Sequence, residues 1–95
     1  PYPLHRPGDP SRPRAEHWPA IAAPCLFIQG TKDPFCEMAV LRKVLPTLGA
    51  ESALIEVPGG EHSLRVRKGP DVEPRSETAV LSGLVPAIVR WALRL

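Results

Sequence analysis

The sequence predicts an α/β fold in which one βαβ unit and a terminal helix form the C-terminal portion of a larger, doubly wound parallel sheet. Three observations carry this. Two short runs, Cys25–Gln29 and Ala53–Val57, are apolar on both parities and are closed by glycine or proline, as strands covered on both faces are. Between them apolar side chains recur at three- and four-residue spacing, so strand, helix and strand follow within about 33 residues, the pattern of a right-handed parallel crossover. Parallel sheets ordinarily have several strands with helices on both faces, and two strands leave the inventory incomplete as an independent domain.

Taken in order, residues 1–24 read as a proline-rich connector. Pro1, Pro3, Pro7, Pro10, Pro13, Pro19 and Pro24 remove backbone donors and fix φ too often for a regular element, apart from a turn of helix around Glu16–Ala22. Tyr2, Leu4, Trp18 and Ile21 are larger apolar anchors than a free linker carries, so the segment is expected to lie against something apolar. Residues 25–95 read as the C-terminal part of the α/β domain. After the first strand and the turn Gly30-Thr31-Lys32-Asp33-Pro34, a helix is marked by Met38, Leu41, Leu45 and Leu48 and ends at Gly49, loosened in its last turn by Pro46. The second strand meets Pro58-Gly59-Gly60. Residues 65–75, with Gly69, Pro70 and Pro74 among charges, read as a surface loop. Ser76 is placed as the N-cap of a long terminal helix whose apolar face is Leu81, Leu84, Val85, Ile88, Trp91, Ala92 and Leu95, with a kink expected near Ser82 from Pro86.

Ninety-five residues read as one small unit, so more than one domain is not expected within them. The 12 Lys+Arg and 10 Asp+Glu leave a net charge of +2 spread along the chain, so neither a nucleic-acid surface nor a polybasic membrane surface is expected. No apolar run approaches the roughly 18 to 20 residues of a bilayer span. The first residue is Pro1 rather than Met and no basic-then-apolar leader follows, which reads as an N-terminus set by processing or truncation. Cys25 and Cys36, at opposite ends of the first strand, fall over about 10 Å apart at about 3.3 Å per residue, beyond the roughly 7 Å reach of a disulfide. They are expected as free thiols in a reducing compartment, the cytoplasm. Neither a metal site nor a cofactor is expected, because the zinc-type spacing of Cys and His is absent.

Two loops leave the C-terminal ends of the predicted parallel strands, where open α/β sheets place their ligands. The first carries Asp33 and the second carries His62, in Gly59-Gly60-Glu61-His62-Ser63. A carboxylate and an imidazole at one sheet edge suit general base and then general acid catalysis by the ring, with the carboxylate orienting it.

The order of strand, Gly30-Thr31-Lys32-Asp33-Pro34, helix, strand, Gly-Gly-Glu-His-Ser and terminal helix resembles the way the α/β-hydrolase family ends, with the acid before the histidine. The opening Tyr2-Pro3-Leu4-His5-Arg6-Pro7-Gly8 is more specifically similar to the branch related to dienelactone hydrolases, which includes a testis-expressed hydrolase-like protein and a subunit of a nonspecific-lethal chromatin complex. The resemblance implies a complete protein that hydrolyses an ester, lactone or related acyl bond of a small molecule. It implies Asp33 as triad acid, His62 as triad base and, as partner, the missing N-terminal half of the fold. The G-x-S-x-G nucleophile elbow and its cysteine variant occur nowhere in the sequence, and the oxyanion donors that accompany it are absent with it. The chain alone is therefore predicted inactive. The alternative is a non-catalytic hydrolase-like module for protein interaction.

Each residue also has a plainer reading. Asp33 before Pro34 is also a helix-cap pattern, and a carboxylate is expected to serve both roles poorly. His62 can be a solvated loop histidine. Ser63 neighbours His62 on one turn, which does not give nucleophile geometry. Cys36 at a helix start reads as a small half-buried hydrophobe. His5 and His17 read as exposed polar residues without a role, and Trp18 and Trp91 as packing anchors.

Overall fold

The computed structural model describes residues 2–95. Strands β1 (Cys25–Gly30) and β2 (Ser52–Val57) pair in parallel, in register from Cys25↔Ser52 to Gly30↔Val57. Helix α1 (Met38–Val44) connects them, and helix α2 (Glu77–Leu93) follows. This is the α/β architecture the sequence predicts, one βαβ unit with a terminal helix.

The boundaries have local causes. Helix α1 opens two residues later than Cys36, and Pro46 stops it early: the chain tightens into a 3-10 turn at Leu45–Thr47, where Thr47 Oγ1 donates to the Val44 carbonyl at 2.6 Å. Helix α2 starts at the expected cap, with Ser76 Oγ accepting from the Ala79 N–H at 3.1 Å, and Pro86 lies inside it without ending it.

Alternation along the strands sorts the core into two clusters, one on each sheet face. Phe27 and Leu54 point to the face that carries Leu4, Trp18, Cys36 and Leu41; Ile28 and Val57 point to the face that carries Leu64, Val66 and Val80. The first cluster draws on the proline-rich segment. Leu4 is fully buried and the Trp18 ring sits 5.4 Å from Phe27, so the segment's apolar anchors lie against β1 and α1. The segment's one regular turn is a 3-10 helix at Trp18–Ala20, and the Trp18 carbonyl accepts from Gly49 N–H at 3.0 Å. A side chain at Gly49 would overlap the Pro19 carbonyl, which is why that approach requires glycine.

Three readings of individual residues change. His5 is buried, not exposed, because its backbone N–H donates to the Phe35 carbonyl and its ring bridges Arg6 and Glu37. Residues 65–75 are not a simple surface loop: Val66 and Arg75 exchange backbone hydrogen bonds at 2.9 Å and Val66 is buried. Strand β1 is only half-buried from Cys25 to Ile28, because it has one neighbour and its other edge borders a cavity of about 450 Å³. No described helix is long and apolar enough to cross a membrane.

Candidate active site

The two loops that follow β1 and β2 meet because their backbones touch. Gly30, the last residue of β1, lies against Gly60 so closely that a Cβ on Gly30 would overlap the Gly60 carbonyl. Lys32 N–H donates to that same carbonyl at 2.8 Å, and Gly59 N–H donates to Thr31 Oγ1 at 2.7 Å. Beyond this seam the chain turns back on itself. Glu61 and Arg65 close a turn through Glu61 N–H to the Arg65 carbonyl at 2.9 Å, with Leu64 buried in the left-handed region at φ 73. His62 stands on that turn and faces the first loop.

Asp33 and His62 are brought together. Asp33 Oδ2 lies 2.8 Å from His62 Nδ1; the Asp33 side chain is wholly buried and that of His62 is 35% exposed. A carboxylate only accepts, so Nδ1 carries the proton and donates it, leaving Nε2 with its lone pair. Among the described residues Nε2 has no hydrogen-bond partner. The Phe35 ring packs on the imidazole at 4.7 Å, tilted by 43°.

Asp33 does not have to choose between orienting the ring and organising its own loop. Oδ1 accepts from Phe35 N–H at 2.8 Å while Oδ2 faces His62, so the two functions use different oxygens. Nor is Asp33 the cap of α1, whose N-cap is Glu37. A third donor, Gln29 Nε2, reaches Oδ2 at 2.8 Å.

The other candidates fall away from the pair. Ser63 Oγ accepts from Arg65 N–H at 3.5 Å within its own turn. Cys36 is buried, and burial pushes its thiol from 9.0 up to about 11, with the Asp33 charge adding to the rise. Both causes favour the neutral thiol over the thiolate. Among the described residues no group of three or more His, Cys, Asp or Glu is placed to hold a metal ion.

Sequence reasoning missed Gln29, Phe35 and His5. Gln29 had a signal, since it is the one polar residue in an otherwise apolar strand. Phe35 and His5 had none, because their contacts to His62 and Glu37 cross 27 and 32 residues of chain.

A family model described as an alpha/beta hydrolase domain matches residues 1–92, and the chain belongs to that hydrolase-type family. No solved structure matches it.

Proposed function

We propose that this chain supplies the acid and the base of a catalytic triad that hydrolyses an ester, lactone or related acyl bond of a small molecule. The observation that carries the reading is the 2.8 Å contact between a buried Asp33 Oδ2 and His62 Nδ1, with Nε2 left open. Asp33 holds the tautomer whose Nε2 accepts. That nitrogen takes the proton of a serine hydroxyl or cysteine thiol as it adds to the acyl carbon, then returns it to the departing alkoxide as the acyl–oxygen bond breaks. Water repeats the sequence on the acyl intermediate and frees the acid.

The nucleophile and the oxyanion donors come from outside these 95 residues, on the N-terminal part of the same fold. The opening segment Tyr2–Gly8 supports the branch related to dienelactone hydrolases. Two free cysteines support a reducing compartment, for which the cytoplasm is our reading.

The test is hydrolysis of nitrophenyl esters by the protein that carries this chain together with its nucleophile. Asp33→Asn is expected to lower turnover about 10⁴-fold with the fold intact, because the wrong imidazole tautomer is then favoured. Unchanged turnover in that variant would assign the acid elsewhere. The 95 residues alone are expected to hydrolyse such esters no faster than free imidazole, and saturable hydrolysis abolished by His62→Ala would overturn the assignment of the nucleophile to another segment.

A further inference from the structure

Gln29 is a neutral amide at the end of β1, buried to 4% exposure in a strand whose other side chains are apolar apart from Cys25. A buried amide is retained where its hydrogen bonds are met, so its partners identify its task. Every partner of its nitrogen is an acceptor at the end of β1 or on the loop that carries the acid. Nε2 lies 2.8 Å from Asp33 Oδ2, 3.2 Å from the Gly30 carbonyl and 3.5 Å from the Cys36 carbonyl. This set fixes the amide orientation, since the opposite flip would aim an acceptor at three acceptors.

Oδ2 is the oxygen that His62 uses. Its two lone-pair directions are therefore divided, one toward Gln29 Nε2 and one toward His62 Nδ1, while Oδ1 is held by Phe35 N–H at 2.8 Å. Phe35 alone fixes one oxygen and leaves the carboxylate a hinge about that bond. A second donor on Oδ2 removes the hinge and aims the remaining lone pair at the ring.

We infer that Gln29 is a positioning residue, which holds Asp33 Oδ2 in line with His62 Nδ1 and thereby sets the imidazole tautomer. The inference rests on the triad reading for its catalytic consequence, but its geometric content does not. A merely structural Gln29 would tie the strand end to the loop through the Gly30 and Cys36 carbonyls and leave the ring's tautomer untouched.

The experiment compares Gln29→Met, which keeps length and removes the donor, with Gln29→Glu, which keeps shape and presents acceptors. Long-range nitrogen–proton correlation spectra of the intact chain read the His62 tautomer directly. The unaltered chain is expected to show the Nδ1–H form as dominant, and both variants to shift several-fold toward Nε2–H. In the hydrolytically complete protein, Gln29→Met is expected to lower kcat about 100-fold, as a small misalignment of a catalytic group does, with KM unchanged. A tautomer population in Gln29→Met equal to that of the unaltered chain would overturn the inference.

Should both variants fail to fold, the unaltered chain decides. A nuclear Overhauser contact between the Gln29 amide protons and the His62 Nδ1 proton supports a shared oxygen; its absence, with the amide protons exchanging at the rate of free glutamine, overturns it. Asp33→Asn separates the two claims. A tautomer shift in Asp33→Asn without loss of turnover would sink the catalytic reading and leave the positioning intact. Lost turnover in Asp33→Asn beside a normal tautomer in Gln29→Met would do the reverse.

Discussion

The proline-rich opening and the terminal helix differ in opposite ways in regularity and in burial. Residues 2–22 contain no regular element beyond one 3-10 turn, yet Leu4 and Trp18 belong to a buried cluster and His5 is covered with them. Helix α2 is a capped run of 17 residues, and only Val80 is buried in it; Leu81, Val85, Val89 and Leu93 are exposed apolar side chains four residues apart. A helix satisfies its own backbone, so it can stand with one face uncovered. A proline-rich segment has no ladder, and its shape persists only through distant partners. Those partners are visible: His5 N–H to the Phe35 carbonyl, Glu37 N–H to His5 Nε2, and Gly49 N–H to the Trp18 carbonyl. Regularity of pattern and degree of burial are therefore separate properties here, and the irregular segment is the one that braces the loop carrying Asp33.

That contrast breaks most readily at Leu4. Leu4→Ala removes a fully buried side chain and is expected to cost about 2–5 kcal/mol in denaturant unfolding, as core truncations do. A loss under about 0.5 kcal/mol, typical of an exposed site, would show that Leu4 does not anchor the opening segment in the core.

His5 sharpens the comparison. Its Nε2 accepts from Glu37 N–H at 2.9 Å, so Nδ1 carries the proton and donates to the Arg6 carbonyl, also at 2.9 Å. His5→Leu strands the Glu37 donor and is expected to cost about 1–3 kcal/mol, with faster hydrogen exchange at Glu37 as the specific readout. Unchanged exchange there would show that the ring does not brace the acid loop.

Cys36 tests the same cluster by pH. Its folded thiol is raised from 9.0 to about 11 by burial and then by Asp33. For a group raised on folding, the stabilising contribution is complete below the unfolded value and is lost as pH climbs toward the folded one. Stability is expected to decline between pH 9 and about 11, and Cys36→Val to flatten that decline. Alkylation at neutral pH is expected at Cys25 first, since Cys25 is half-buried and Cys36 buried. Equal rates at both thiols would indicate an open first cluster.

The smallest effect lies at the far end of α2. Leu93 is 81% exposed, and Leu93→Ala is expected to stay within about 0.5 kcal/mol of the unaltered chain. A cost matching that of Leu4→Ala would mean that the helix face is covered in solution.

Much of the site was legible because its signals are local. The runs at Cys25–Gln29 and Ala53–Val57, closed by Gly30 and by Pro58-Gly59-Gly60, specify two strands and the ends from which Asp33 and His62 project. Ser76 specifies where α2 begins, whereas α1, expected to run to Gly49 with a loosened last turn, stops at Val44 because Pro46 turns the chain into a 3-10 turn. These depend on backbone donors, turn geometry and alternation, which neighbouring residues fix. What the sequence left open are the pairings that only a closed chain makes. Whether Asp33 caps or faces the histidine was decided by the contact of Gly30 with Gly60, which brings two loops within reach: Oδ2 meets His62, Oδ1 holds Phe35 N–H within its own loop, and the cap of α1 is Glu37. The burial of His5 and the exposure of the α2 face were decided likewise, because burial measures what packs against a residue and that is set by segments tens of residues away.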